Sequence, residues 1–497
     1  MRNEHEKQHE KGDETYESAV RDLNGLQTNY QIMEQIRASG GRLNEYSIPE
    51  FEAFLEKVGH QVSDLDRLNV IHVTGTKGKG STCAFVASIL SQLPEASNSG
   101  RRLEIGLFTS PHLIEVRERI QIDGQPIACD AFAKYFYETY NALRSSSGAP
   151  LRKVTPESPS MPMYFRFLTL MAYHVFLREG VDVAVVEVGV GGQYDSTNVV
   201  RKPAVCGIAS LGLDHQGTLG STIEQIAWHK AGIIKQGVPA YTVSQKDTAL
   251  AVIRGRAAER DAPLHIVDPQ DVAGAELGIP GNHQRTNAAL AASLCREWVR
   301  RTGIFSTADG LLLLLDRAID AGLRNARWPG RSQTFVSPRS PALTWHVDGA
   351  HTVESMAACA QWFAQLPLAT TNASRVLLFN AAHSRNIPEL LSTLVKNVGA
   401  ELEGGFCEAV FCPNISGRSD SVNFTVHNDP DLGPQKEAAA VWAQLTRMPA
   451  ENTTVLPTIN DAVAYIEAKY KAAPTHVLVT GSLHLVGGVL DAAKGSI

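Results

Sequence analysis

The stretch that most constrains this chain is residues 69–90, with the sequence NVIHVTGTKGKGSTCAFVASIL. A β-branched run predicts a buried strand, three glycines interrupt it, and apolar residues return at helical spacing after Ser81. A strand, a glycine turn and a helix can cradle a phosphate, because small residues let backbone N–H groups approach its oxygens. Lys79 would then reach the outer phosphates, with the Ser81 hydroxyl close by.

This stretch matches a variant form of the phosphate-binding loop. The strict pattern has glycine where this chain has Val73, and a hydroxyl residue where it has Gly80. A glycine turn between a strand and a helix can also be purely structural. Because Lys79 stands between Gly78 and Gly80 and opens the predicted helix, we predict that the turn binds phosphate.

Length and composition narrow the class of protein. A chain of 497 residues corresponds to about three domains, or two large ones, and its apolar fraction of 43% supports a large core. The net charge of −6 argues against nucleic-acid binding, and no apolar run is long enough for a membrane span. The seven scattered cysteines form no CxxC pair, which predicts reduced thiols in the cytoplasm or a similar compartment. Residues 1–14 are highly charged, which predicts a disordered tail.

Polar residues follow three further predicted strands. Ser110 comes after the strand at 104–108, Glu187 closes a valine-rich strand, and His215 follows the strand at 204–211. In open α/β sheets, ligands bind at these carboxyl ends. A buried glutamate needs a partner, which could be a metal or an internal lysine or arginine. Oxygen ligands with one imidazole would suit Mg²⁺ or Mn²⁺ better than zinc.

The periodicity of the chain breaks around residues 322–333. Beyond this break, predicted strands and helices alternate again, and the sequence Asp-Gly-Ala-His at 348–351 follows one of the strands. We therefore predict a tail over 1–14, a nucleotide-binding domain over 15–325 and a smaller α/β, Rossmann-like domain over 326–497. The fold class is α/β with mostly parallel sheets.

Several stretches in this order resemble the eukaryotic type of folylpolyglutamate synthase, in the Mur-ligase superfamily of ATP-dependent amide ligases. The resemblance runs from about Thr15 to the C-terminus. The stretches that carry it are YESAV at 16–20, LQTN at 26–29, GTKGKGS at 75–81, FTSPHL at 108–113, YFRFLT at 164–169, EVGVGG at 187–192, DH at 214–215, AWHKAG at 227–232, WPGR at 328–331 and DGAH at 348–351. The resemblance implies a Mur-ligase-like nucleotide-binding domain joined to a C-terminal ligase domain.

The resemblance also implies roles for particular residues. The phosphates of ATP would be bound by Gly78, Lys79, Gly80 and Ser81, and the rest of the nucleotide would contact Asn287, Arg331 and Asp348. Mg²⁺ would be bound by Ser110, Glu187 and His215. The catalytic residues would be Lys79, Lys230 and His351, and Lys230 matches a lysine that is carbamylated in related ligases. A monovalent cation is a further component to test.

The expected reaction is the ATP-dependent addition of L-glutamate to the γ-carboxylate of tetrahydrofolate or its polyglutamates, through an acyl phosphate. One alternative is a dihydrofolate synthase, which joins glutamate to dihydropteroate. Another is a nucleotide-dependent regulatory protein that has lost the ligase chemistry. Residues 379–385 depart from the loop of the family, although Arg385 could serve the incoming glutamate. We expect a cytoplasmic monomer that acts on small molecules, with a mitochondrial form from another start codon left open.

Overall fold

The computed structural model describes residues 14–27, 44–93, 101–145, 151–156, 158–305, 311–366, 373–381, 385–401, 405–416 and 431–494. Residues 1–13 of the tail predicted over 1–14 therefore lie outside the described residues. So do Thr28, Asn29 and residues 382–384 of the divergent loop. The chain divides into two compact units. The first is formed by residues up to Ser110, Arg117–Asp268 and Leu290–Ala318, and the second by Pro111–Val116, Pro269–Ala289 and Ile319 onward.

Both units contain a mostly parallel sheet. The strands of the first unit are β1 Ile71–Thr74, β2 Ile105–Phe108, β3 Ile120–Ile122, β4 Gln125–Pro126, β5 Val183–Glu187, β6 Val205–Ile208, β7 Ala240–Thr242 and β8 Leu264–Ile266. Those of the second unit are β9 Gln333–Ser337, β10 Ser340–Val347, β11 Ser374–Phe379, β12 Glu408–Phe411, β13 Thr453–Val455 and β14 Thr475–Thr480.

The helices alternate with these strands along most of the chain. They are α1 Tyr16–Gly25, α2 Ser47–Lys57, α3 Lys79–Leu90, α4 Cys129–Arg144, α5 Tyr164–Glu179, α6 Gln216–Leu219, α7 Ile223–Ala231, α8 Asp247–Ala258, α9 Asn282–Thr302, α10 Leu311–Asn325, α11 Val353–Ala364, α12 Ile387–Glu401, α13 Gly433–Thr446, α14 Ile459–Tyr470 and α15 Leu483–Lys494. Short 3₁₀ helices span Val62–Leu68, Val116–Arg119, Ser196–Val199, Pro269–Val272 and Ala450–Asn452.

The first sheet has the strand order β4-β3-β2-β5-β1-β6-β7-β8. Its strands are parallel except β3 and β4, which pair antiparallel at one edge. The strand β1 lies between β5 and β6, so the register places Val73 beside Glu187 and Ile71 beside Val205. Strand β5 is buried along its whole length, as its run of valines predicts for a parallel strand covered on both faces.

The second sheet has the order β13-β12-β11-β14-β10-β9, with only β9 antiparallel to its neighbour. Side chains alternate between its two faces. Trp345 and Leu378 pack in one apolar cluster with residues of α14 and α15, whereas Leu377 and Phe411 pack in another with residues of α11, α12 and α13. Helices therefore cover both faces, and the carboxyl ends of the parallel strands are left to carry polar groups.

Candidate active site

Four neighbouring strands of the first sheet present polar segments at one edge. Because β2, β5, β1 and β6 are adjacent and parallel, their carboxyl ends lie side by side. The segments that leave these ends are Thr109 and Ser110 after β2, Glu187 at the end of β5, the glycine loop 75–81 after β1, and residues 209–215 after β6. The fold thus brings the predicted phosphate and metal residues of this unit to the same edge.

The glycine loop is shaped by its backbone and tied to the segment after β6. Gly78 has a φ of 85° in the left-handed region and precedes the first residue of α3, a position where a side chain would be strained. The backbone N–H groups of Thr76 and Lys77 both donate to the carbonyl of Ser210, at 2.9 and 3.1 Å. A Cβ on Gly75 would stand 2.8 Å from the Cβ of Ala209, so this loop requires glycine to pack so closely.

Two lysines meet at a single carbonyl of the loop. The Nζ atom of Lys79 donates to the carbonyl oxygen of Gly75 at 3.2 Å, and the Nζ atom of Lys230 donates to the same oxygen at 2.8 Å. Lys230 is buried on α7, and burial together with the nearby Lys79 cation lowers the pKa of its amine well below the usual value. At this carbonyl Lys79 therefore supplies the positive charge that a binding site for polyphosphate requires, whereas the amine of Lys230 is shifted towards its neutral form.

Glu187 lies buried against the segment that follows β2. Its Oε2 atom accepts a hydrogen bond of 2.9 Å from the backbone N–H of Ser110. Burial lowers the pKa of Arg119, and the Tyr164 phenol and the Glu187 carboxylate oppose that shift through their charge. Arg119 is therefore an internal arginine near Glu187. Its position supports an arginine partner for Glu187, which the sequence left open as an alternative to a metal.

His215 follows β6 and has a left-handed φ of 52°. The side chain of His215 is exposed. The residue before it, Asp214, connects this segment to Lys77 of the glycine loop. Asp214 accepts from the His215 N–H at 3.0 Å and forms an ion pair of 3.3 Å with Lys77. Within the described part of the chain, no three His, Cys, Asp or Glu side chains form a group that could bind a metal. The predicted trio of Ser110, Glu187 and His215 therefore stays a prediction.

The second unit gathers the other predicted nucleotide residues. Asp348 follows β10 and accepts from the N–H of Ser332 at 2.8 Å. The Arg331 guanidinium lies against Gly349 closely enough to leave no room for a Cβ there. Removal from water lowers the pKa of His283, the Asp348 carboxylate opposes this shift, and the Arg331 cation adds to it.

A chain of hydrogen bonds connects Asn287 to this group. The Asn287 Nδ2 atom donates to Oε1 of Gln284 at 2.9 Å, and the Gln284 side chain bonds the His283 ring at 3.1 Å. Hydrogen bonds thus connect Asn287 to His283, and the charges of Asp348 and Arg331 act on the His283 ring. The sequence reasoning did not select Gln284 or His283. The polar run at 281–287 was the sequence feature that could have pointed to these residues. The sequence could not show that this run meets the segment at 328–331.

His351 stands at the start of α11. Its Nδ1 atom bonds the carbonyl of Gly349 at 3.0 Å, and its backbone N–H donates to the Ser355 hydroxyl at 3.1 Å. Because a carbonyl only accepts, Nδ1 carries the proton, and in the neutral ring Nε2 is the nitrogen with the lone pair. This hydrogen bond therefore fixes the orientation of the His351 ring. His351 belongs to the same short run of the chain as Asp348.

Taken together, the parallel α/β architecture and the lysine-rich glycine loop between a strand and a helix define a class of ATP-binding α/β proteins. No protein-family model matches the chain. The chain is 42% identical to the mitochondrial folylpolyglutamate synthase of Homo sapiens, over 96% of this chain and 91% of that protein. It is also 42% identical to a probable folylpolyglutamate synthase of Schizosaccharomyces pombe, over 96% and 93% of the two chains.

Solved structures agree with this fold. The Mycobacterium tuberculosis folylpolyglutamate synthase complexed with ADP has a TM-score of 0.68 and 24% identity, over 95% of this chain and 98% of that chain. The 42% identity to the Homo sapiens and Schizosaccharomyces pombe proteins, over 96% of this chain, shows that the chain belongs to the folylpolyglutamate synthase family. The predicted α/β fold, the family and the class of ATP-dependent ligase are confirmed. Within the described residues, none of the helices has the length and apolar character needed to cross a bilayer.

Proposed function

We propose that this protein adds L-glutamate to the γ-carboxylate of tetrahydrofolate and its polyglutamates at the expense of ATP. The observation that carries the proposal is the pair of lysines, Lys79 and Lys230, that meet at the Gly75 carbonyl where β1 gives way to α3. The reaction must bring a carboxylate onto a polyphosphate, so positive charge at this point is the main physical requirement.

In this proposal the backbone of Gly78, Gly80 and Ser81 and the Lys79 side chain bind the phosphates of ATP. The N–H groups at the start of α3 point at the anion, and the helix dipole favours its negative charge. Asn287, Arg331 and Asp348, which lie in the second unit, are also proposed as nucleotide-binding residues. The hydrogen bonds around them, from Asn287 to Gln284 and from Ser332 to Asp348, support a preformed surface for that contact.

Mg²⁺ belongs to the same proposal. A carboxylate and a hydroxyl are oxygen donors of the kind that Mg²⁺ prefers, and Glu187 and Ser110 are already held together by a hydrogen bond of 2.9 Å. With His215 they would hold the metal, which would neutralise charge on the phosphates when bound. A monovalent cation is a further component of the proposal.

Lys230 is proposed to act as a carbamate. Its burial and the neighbouring Lys79 lower the pKa of its amine, which favours the neutral form. A neutral amine can attack CO₂, forming an N–C bond and losing one proton to give a carbamate. The product would place an anionic group suited to a metal on Lys230, beside the Lys79 cation.

The proposed chemistry has two steps. A γ-carboxylate oxygen attacks the γ-phosphorus of ATP, the bond to the bridging oxygen breaks, and an acyl phosphate and ADP form. The α-amine of L-glutamate then attacks the acyl carbon, phosphate leaves, and one proton is lost as the amide forms. His351 is proposed as a catalytic residue for this second half, because the Gly349 carbonyl fixes the orientation of its ring.

The test is a comparison of acceptors with the purified protein, ATP, Mg²⁺ and labelled glutamate. We expect tetrahydrofolate to gain one or more glutamates, with one ADP formed for each, as measured by product mass. Ligation to dihydropteroate but not to tetrahydrofolate would favour the alternative, a dihydrofolate synthase. Nucleotide binding without ADP formation on either acceptor would contradict both. A cytoplasmic monomer stays part of the proposal, tested by fractionation and by light scattering.

A further inference from the structure

The segment that leaves β6 is bound to the glycine loop at three successive points. The carbonyl of Ser210 accepts from the backbone N–H groups of Thr76 and Lys77, at 2.9 and 3.1 Å. The backbone of Gly212 bonds the Thr76 hydroxyl, and the Asp214 carboxylate forms an ion pair of 3.3 Å with Lys77. These contacts fall on every second residue, so they hold the segment against the glycine loop along its length.

The middle contact is made by one hydroxyl group. A threonine hydroxyl can donate one hydrogen bond and accept others, and that of Thr76 does both with a single residue. It donates to the carbonyl of Gly212 at 3.1 Å and accepts from the N–H of Gly212 at 3.1 Å. The Thr76 methyl lies against the same residue, since a Cβ on Gly212 would stand 3.9 Å from Cγ2 of Thr76. The Thr76 side chain therefore fixes both polar groups of the Gly212 backbone.

The position of His215 depends on how this segment is held. His215 has a φ of 52°, in the left-handed region that residues other than glycine rarely adopt. Its side chain is exposed, so packing in the core does not determine where the imidazole lies. Its backbone N–H donates to Oδ1 of Asp214 at 3.0 Å. The contacts of the preceding residues with the glycine loop therefore set the place of the imidazole.

On these grounds we infer that Thr76 is a positioning residue for Mg²⁺, because its hydroxyl holds the segment that carries His215 against the glycine loop. This inference rests on the proposed function, in which His215 is a metal ligand. It adds the group that sets the distance between this ligand and the loop that binds the phosphates. Groups that hold a metal ligand in place affect metal binding although they do not touch the metal.

The test measures metal binding directly, on the full-length protein. Mn²⁺ is the probe, since it binds the same oxygen and imidazole ligands, and it is titrated in the presence of ADP. Free Mn²⁺ is counted by electron paramagnetic resonance. We expect Thr76→Val, which replaces the hydroxyl by a methyl group, to raise the dissociation constant of Mn²⁺ about tenfold. An unchanged constant would overturn the inference.

The affinity for ADP without metal separates positioning from a general structural role. We expect this affinity to stay within twofold in Thr76→Val, because the backbone bonds to Ser210 still hold the glycine loop. Loss of both affinities together would show that the loop itself has loosened, and that result would overturn the inference.

A double-mutant cycle decides whether Thr76 acts through His215. His215→Ala should itself weaken Mn²⁺ binding, and equal affinity of this variant and the wild type would overturn the inference. In the His215→Ala background we expect Thr76→Val to raise the dissociation constant by less than a further twofold, because the ligand that it positions is gone. A further tenfold rise would mean that the two residues act independently, which would also overturn the inference.

The control variants follow from the same geometry. Thr76→Ser retains the hydroxyl, so we expect its Mn²⁺ affinity to lie within about threefold of the wild type, and a tenfold loss would contradict the role of the hydroxyl. Thr76→Ala places no methyl group against Gly212 and serves in the cycle if Thr76→Val does not fold.

The matched control is Thr302→Val at the end of α9. The Thr302 hydroxyl is half-buried and donates to the carbonyl of Trp298 at 3.0 Å. The Trp298 indole in turn bonds the carbonyl of Asn69 before β1, so this control lies towards the opposite edge of the sheet. Both affinities should be unchanged in Thr302→Val.

Glutamate addition by the wild type separates this inference from the proposed function. Absence of glutamate addition to tetrahydrofolate would overturn the proposed function, and the inference with it. Glutamate addition by the wild type, together with independent effects of the two substitutions on Mn²⁺ binding, would overturn the inference alone.

Discussion

The proposed function predicts a specific loss of activity when Lys79 is replaced. We expect Lys79→Met to lower the rate of ADP formation by 10²- to 10³-fold, which is about 3–4 kcal/mol, the cost of removing one contact to developing charge in a preorganised site. The fold should survive the change. The loop is held by the bonds from Thr76 and Lys77 to Ser210 and by the conformation of Gly78, not by the Lys79 side chain.

The structure limits the effect of Lys79→Met on stability. Lysine and methionine have similar helix propensities, and the lost bond of 3.2 Å to the Gly75 carbonyl involves a partly exposed side chain. We therefore expect the free energy of unfolding to change by less than about 1 kcal/mol. The measurement is ADP release at saturating glutamate and tetrahydrofolate, with thermal unfolding recorded on the same preparation.

The matched control is Lys202→Met. Lys202 precedes β6, so it lies towards the opposite edge of the same sheet, and its side chain is 79% exposed with Nζ 3.9 Å from Asp66. An exposed ion pair of this kind contributes about 0–1 kcal/mol, so activity should stay within twofold of the wild type. ADP formation by Lys79→Met within threefold of the wild type would refute the assignment of Lys79 to the phosphates.

Two other predictions concern stability. Burial lowers the pKa of Lys235 to about 8, so between pH 8 and about 10.4 the unfolded chain binds more protons and stability rises with pH. Lys235→Met should remove about 2 kcal/mol of that rise between pH 7.5 and pH 10, measured by urea unfolding. Parallel stability profiles for the variant and the wild type would contradict the pKa shift. Gly78→Ala should cost about 1–2 kcal/mol, because φ is 85° there, whereas Gly255→Ala in α8, with open space at its Cβ, should stabilise by about 0.5–1 kcal/mol. Thermal unfolding of both glycine variants tests this difference. Equal changes in the melting temperature would show that the positive φ of Gly78 does not cause it.

The sequence alone determined the elements whose signals are local. The apolar pattern predicts a helix over 164–179 and a strand over 374–379, and α5 and β11 have these same bounds. Such elements are predictable because each one buries its own periodic face. The glycine loop was also predictable, since the left-handed Gly78 and the lysine beside it are consecutive in the chain. The helices α4, α8 and α15 were not among the predicted elements, although the structure contains all three.

Only the tertiary structure decided which distant groups meet. The position of Lys230 near the end of a predicted helix gives no sign of burial, yet it is buried and reaches the Gly75 carbonyl, 155 residues away. It does so because α7 packs in one apolar cluster with β6 and the residue after β5. Likewise, the sequence gives no sign that Asn414 shares a bond with Ser482 and keeps a buried acceptor without a described partner. Strand order and burial set these contacts, and both depend on the whole chain, whereas a turn or a helical stripe depends on its immediate neighbours.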